Sequence, residues 1–312
     1  MDGENGTTVT HFVLLGLTAR RELQLLLFPL FLLMYLLVLA GNLLILVTVA
    51  GDRRLYTLPM YFFLGNLSFI DICHATVTGP KMLWDLLAAE KTISFGGCVA
   101  QLFFLHLSAC AEIFLLTVMA YDRCIAICRP LQYPILMHHS RCAGLVGGLW
   151  VGATIHSLAQ AALVLRLPYC GPNIIDNFFC DVPPIVKLAC TDSYQTGVLI
   201  VSNSGTISLT CFLALLGSYL AILVSIWGRG AAGRSKALST CAAHWAVVVL
   251  FFGPCIFIYT RPATSFSLDK VVSLFYTLVT PVLNPVIYTL RNQEIQGSMW
   301  KLWRRGIFSW GE

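Results

Sequence analysis

The chain has 312 residues and a formal charge of +5; 57% of its residues are hydrophobic and only 11% are charged. A soluble domain carries about 25% charged residues, and one core of this length could not hide so much apolar surface. The composition excludes a soluble globular domain and points to a membrane protein.

Residues 1–22 are polar and lack the apolar core of a cleavable signal peptide. They read as an external tail ahead of an uncleaved signal anchor, and Asn5-Gly6-Thr7 within them is a glycosylation sequon. Apolar runs follow at about 23–50, 58–83, 97–123, 141–165, 197–227, 237–260 and 270–290. Each reaches or approaches the ~20 residues that cross a ~30 Å hydrocarbon layer. Spans with interior Pro, Ser and Asn must be helices, because only helices and closed barrels satisfy their backbone in lipid. The expected fold is an all-α membrane protein, a seven-transmembrane helix bundle with its membrane domain over 23–291. The connections are short except for 166–196, which is long enough to cover one mouth of the bundle. In 292–312, Trp300, Leu302 and Trp303 stand among basic residues, a pattern for a short amphipathic helix on the inner membrane face. Twelve Arg and Lys fall on the segments that are inside if the N-terminus is outside, against eight on the other side. That bias predicts N-terminus out and C-terminus in.

Polar residues inside these runs are the functional candidates. Asp71 and Glu112 lie in the middle of spans two and three, where a carboxylate is costly and marks a site by default. Asn42 and Asn284 lie at depths that bring them near. One reading is a Na⁺ site whose occupancy favours the resting bundle; the other is protonated acids hydrogen-bonded to the asparagines, since neighbouring acids disfavour each other's charge. Asp122-Arg123 closes span three and must sit at a water boundary. Pro285 interrupts the helix of span seven and permits a kink, static or mobile, on which Tyr288 can swing.

Of twelve cysteines, Cys98, Cys170, Cys180 and Cys190 fall in or beside external segments, and four cysteines allow three pairings. The other eight lack the spacing of a zinc site.

Several motifs in order resemble the odorant receptors, a branch of the rhodopsin-like G-protein-coupled receptors. They are Gly41-Asn42, Pro59-Met60-Tyr61-Phe62-Phe63-Leu64, Pro80-Lys81-Met82, Met119-Ala120-Tyr121-Asp122-Arg123, Lys236–Cys241 with His244, and Pro281–Tyr288. The resemblance runs through essentially the whole chain. It implies a multi-pass plasma-membrane receptor for a small volatile ligand that activates a stimulatory, olfactory-type G protein and raises cyclic AMP. It also implies disulfides Cys98–Cys180 and Cys170–Cys190. Asp122 would restrain Arg123 at rest, and Arg123, once released, would meet the G protein. Departures are Cys124 in place of the usual Tyr, Trp245 in place of Leu, and an extra Leu58 before Pro59.

Helical spacing from Cys98 puts Gln101, Leu105, Ala109 and Glu112 on one face of span three, with His106 and Cys110 one residue round. The expected pocket is Leu105, His106, Ala109 and Cys110 with Ser202, Asn203, Phe252, Ile256, Tyr259, Tyr276 and Thr277, interhelical packing being the alternative for each. Span three has no acid above Glu112, so a charged amine would lack a counter-ion. A mostly apolar ligand with one polar group fits better. Use of the same receptor outside the nose as a metabolite sensor is the alternative function. A transporter or channel would show inverted repeats or a charged pathway, and an enzyme a nucleophile–base set or metal spacing; the sequence has none of these. No cofactor beyond the Na⁺ ion is expected, and there is no aromatic-interleaved basic patch for nucleic acid.

Overall fold

The structure, a computed structural model, describes residues 9–169, 173–189, 194–228, 230–259, 267–289 and 292–308. Strand β1 (His11–Leu14) precedes helix α1 (Arg21–Gly51), the short α2 (Arg53–Thr57) and α3 (Pro59–Leu87). Strand β2 (Thr92–Ser94) leads into α4 (Phe95–Cys128), followed by α5 (Tyr133–Leu136) and α6 (His139–Leu165). The long connection holds β3 (Ile174–Ile175) and α7 (Val182–Val186), and then come α8 (Tyr194–Trp227) and α9 (Ala231–Tyr259). The seventh crossing is composite: α10 (Ser267–Leu274), a π-helical turn (Phe275–Val279) and α11 (Thr280–Thr289). Helix α12 (Gln293–Phe308) is the last described element. Seven of these stretches are long and apolar enough to cross a membrane, so the fold is the expected seven-helix bundle.

Helix α4 is the most enclosed, packed against α3, α6 and α8, while α1 turns a row of leucines outward. Such a row suits lipid and would be a liability in water. Leu58, the extra residue, is absorbed in the α2–α3 turn, where its carbonyl accepts from Tyr61 and Phe62 backbone N–H at 3.1 and 3.0 Å.

One end of the bundle carries a small sheet of order β2-β1-β3, β1 antiparallel to β2 and parallel to β3. The hydropathy pattern did not announce it. Phe12, Phe95 and Tyr169 form an aromatic cluster beneath it, with centroids 5.7 to 5.9 Å apart. The chain leaves β1 through Gly16 at φ +70°, a left-handed turn that favours glycine. The Gly16 carbonyl accepts from Lys270 Nζ at 3.0 Å, and Lys270 also pairs with Asp176 at 2.5 Å.

Two prolines shape the helices that must bend. Pro285 has no N–H for the carbonyl of Pro281, four residues earlier. Asn42 Nδ2 supplies the missing donor from α1 at 3.0 Å. Gly41 beside it admits the Pro285 ring; a Cβ there would lie 3.1 Å from Pro285 Cβ. Pro254 likewise frees the Leu250 carbonyl in α9, and Thr280 Oγ1 donates to it at 3.3 Å.

Candidate functional site

A small cavity of about 30 Å³ lies among α4, α6, α8, α9 and the π turn. Leu105, His106, Ala109, Cys110 and Tyr276 line it, as sequence spacing suggested, together with Ile113, His156, Ser204, Ile207, Ser208 and Cys255.

Five expected residues stand elsewhere. Ser202 is exposed and Asn203 half-buried, because the phase of α8 turns Ser204 and Ser208 inward instead. Phe252 is buried in an aromatic stack between Phe212 and Phe251, at 5.8 and 6.1 Å. Ile256 packs into the core, and the Thr277 hydroxyl donates to the Ser273 carbonyl at 2.7 Å. The side chain of Tyr259 lies outside the described set.

The cavity is covered from the sheet end. The disulfide Cys98–Cys180 ties the α7-bearing connection to the start of α4. Gln101 reinforces it: its Oε1 accepts from Cys180 N at 2.9 Å while its Nε2 donates to the Val77 carbonyl at 3.1 Å. His106 Nε2 stands 3.6 Å from Asp181 Oδ1, next to the disulfide. Cys170 and Cys190, like Asn5, lie outside the described residues. Burial pushes the Tyr169 phenol, under the sheet, up to about 12, so it donates to the Val164 carbonyl (2.8 Å) at any physiological pH.

Below the cavity is a polar core. Asn284 Nδ2 donates to both Asp71 oxygens at 3.1 and 2.9 Å. Both Glu112 oxygens, Asn42 Oδ1 and Asn284 Oδ1 are buried without a hydrogen-bond partner. His74, which sequence reading passed over, joins them: its Nδ1 is 3.8 Å from Glu112 Oε2, and neither ring nitrogen has a hydrogen-bond partner. Its place three residues after Asp71 on one helix face was the available signal. The His74 ring stands edge-on to Tyr276 at 6.1 Å, so Tyr276 touches both the cavity and the polar core. The four orphaned oxygens suit a hard cation. Among the described residues no group of three or more His, Cys, Asp or Glu is placed to hold a metal.

At the far end of α4, Asp122 and Arg123 do not pair with one another, contrary to expectation. Tyr133 donates to Asp122 Oδ1 at 2.9 Å, and Arg123 reaches Met60 Sδ on α3. Consecutive helical residues do not face each other, so the two side chains part. Burial first, then the Asp122 carboxylate, raise the Tyr133 phenol well above its ordinary range and keep it a donor. The buried Tyr288 hydroxyl has no hydrogen-bond partner. On α8, Tyr219 shares a 2.5 Å hydrogen bond with His244 Nδ1 and packs on Trp245 at 4.5 Å, clamping α9 to α8. Cys124 Sγ lies 3.9 Å from Cys128 Sγ.

Seven apolar crossings, a cavity among them and a buried polar core beneath it are the layout of a multi-pass membrane protein of the seven-helix class. A sequence profile described as olfactory receptor matches residues 31–305. The chain is 63% identical to olfactory receptor 4E2 of Homo sapiens over 308 residues, 99% of this chain and 98% of that protein. It is equally similar to the Mus musculus olfactory receptor 4E2, with 99% and 100% covered. Human olfactory receptor 4E1 is 59% identical over 94% of this chain and 93% of its own length. The chain belongs to the olfactory receptor family of G-protein-coupled receptors. It is accordingly a plasma-membrane receptor with a ligand and a G protein as partners, and not an enzyme.

Proposed function

We propose that this receptor binds a small, mostly apolar volatile with one polar group in the cavity. It then activates a stimulatory, olfactory-type G protein and raises cyclic AMP. The N-terminus is outside, so the sheet end faces the exterior, α12 lies on the inner leaflet and Asn5 carries glycan. Residues 1–22 form the external tail, 23–291 the receptor domain and 292–312 the inner tail; Cys170 pairs with Cys190.

The observation that carries this reading is the shared side chain Tyr276, which lines the cavity and abuts His74 above Glu112. A ligand that binds the active packing better than the resting one shifts the population by that difference in affinity. Outward movement of α9 about Pro254 opens the α12 end, where Arg123 leaves Met60 for the G protein and Tyr288 swings inward. We assign Asp71, Glu112, Asn42 and Asn284 as the residues that would hold Na⁺ in the resting state, where the ion would give the unpartnered oxygens of Glu112, Asn42 and Asn284 a positive partner.

The test is cyclic AMP in cells co-expressing an olfactory-type G protein, against a broad volatile panel, with Arg123→Ala at matched surface level. A response lost in the variant supports the reading. A ligand response that persists in the variant, or runs through another G protein, overturns it.

A further inference from the structure

The polar wall of the cavity is set by a residue that does not line it. Gln160 on α6 is fully buried, and its Nε2 donates to Ser204 Oγ at 3.0 Å. A hydroxyl has one proton and two lone pairs. With the amide occupying a lone pair, Ser204 offers the cavity its proton. His156, one turn before Gln160, lines the same wall; its Nδ1 is buried without a hydrogen-bond partner, and its ring stands 5.7 Å from His106. The nearby carboxylate, Asp181, faces His106 and is not part of the lining.

We infer that the cavity recognises its ligand by an oxygen that accepts a hydrogen bond from Ser204, such as a carbonyl or ether oxygen. Gln160 is the positioning residue that holds Ser204 as the donor. This rests on the receptor reading above and narrows its ligand from one polar group to an acceptor. A ligand hydroxyl serves only through its oxygen, so methylating it is tolerated. Without Gln160 the Ser204 hydroxyl is free to rotate and accept, and ligands bearing their own O–H gain on those without one.

The experiment compares dose–response curves for 2-ketones, the matching secondary alcohols, their methyl ethers and the parent alkanes. Wild type, Gln160→Leu, Ser204→Ala and Gln160→Glu are compared at equal surface level, with basal signalling read against Arg123→Ala. In wild type the ketone and ether should act within about three-fold of the alcohol, and the alkane about ten-fold or more weaker, as expected for one lost bond to a buried donor. Gln160→Leu should move the ketone-to-alcohol potency ratio about five-fold toward the alcohol, and Ser204→Ala should bring ketone and alkane together. A purely structural Gln160 would lower every curve equally, which overturns the inference. So does an alcohol whose ketone and ether are silent, or silence from all oxygenated members. In that last case, basal signalling above the Arg123→Ala level leaves the receptor reading standing.

Discussion

Thr280 Oγ1 lies 3.3 Å from the Leu250 carbonyl, the acceptor that Pro254 leaves without a backbone partner in α9, and shares its one proton between that oxygen and a second carbonyl. The same oxygen lies 2.9 Å from the Phe275 carbonyl at the start of the π turn. One side chain therefore joins the bend of the sixth crossing to the irregular turn of the seventh. Thr280→Val keeps the shape and removes the donor, leaving a buried carbonyl at a cost of about 1–3 kcal/mol. The purified receptor should melt several degrees lower, and Thr280→Ser should recover most of the loss. Equal melting of the Val and wild-type receptors would count against the link.

Asn42 and Pro285 form a second pair of this kind. Asn42→Ala should destabilise by about 1–3 kcal/mol, because the Pro281 carbonyl loses its substitute donor. In a Pro285→Ala background the backbone N–H returns, and the Asn42→Ala penalty at that bond should shrink. A double-mutant cycle on thermal stability measures the difference; simple additivity would show that Asn42 serves another purpose.

Glu112 separates the two readings of the polar core. If Na⁺ sits among the orphaned oxygens, Glu112→Gln should abolish the sodium dependence of basal cyclic AMP. Potassium replacement in the medium is the control. Sodium dependence that survives the substitution rules out Glu112 as a ligand.

Cys98 and Cys180 are separated by 82 residues, so opening their bond frees a long loop in the unfolded chain. The loop-entropy estimate is about 4–5 kcal/mol. Cys98→Ser should reduce surface expression severely, and Cys180→Ser should match it, as should the double variant. Unequal single variants would mean that one cysteine has a role apart from the bond.

The seven crossings were legible because hydropathy over ~20 residues is a strong, local signal. The sheet was not: His11–Leu14, Thr92–Ser94 and Ile174–Ile175 are two to four residues long, and only their distant pairing makes them strands. The inward face of α4 could be read from Cys98, an anchor whose position was fixed. Helix α8 offered no such anchor, so Ser202 and Asn203 were expected where Ser204 and Ser208 stand. His156 and Gln160 did carry a signal, two polar residues four apart on an apolar helix. The π turn left no mark in the sequence, since its register depends on Thr280 and the helices around it.

The order in which the sheet is made has its own consequence. Its middle strand, β1, is synthesised before either neighbour, since β2 follows α3 and β3 follows α6. Residues 11–14 can meet β2 only after two of the seven crossings have been threaded, and their other edge stays unpaired until four have been. The cover over the cavity is thus a late assembly event, and a variant that slows insertion of α4 or α6 prolongs the interval in which that apolar strand can find another partner.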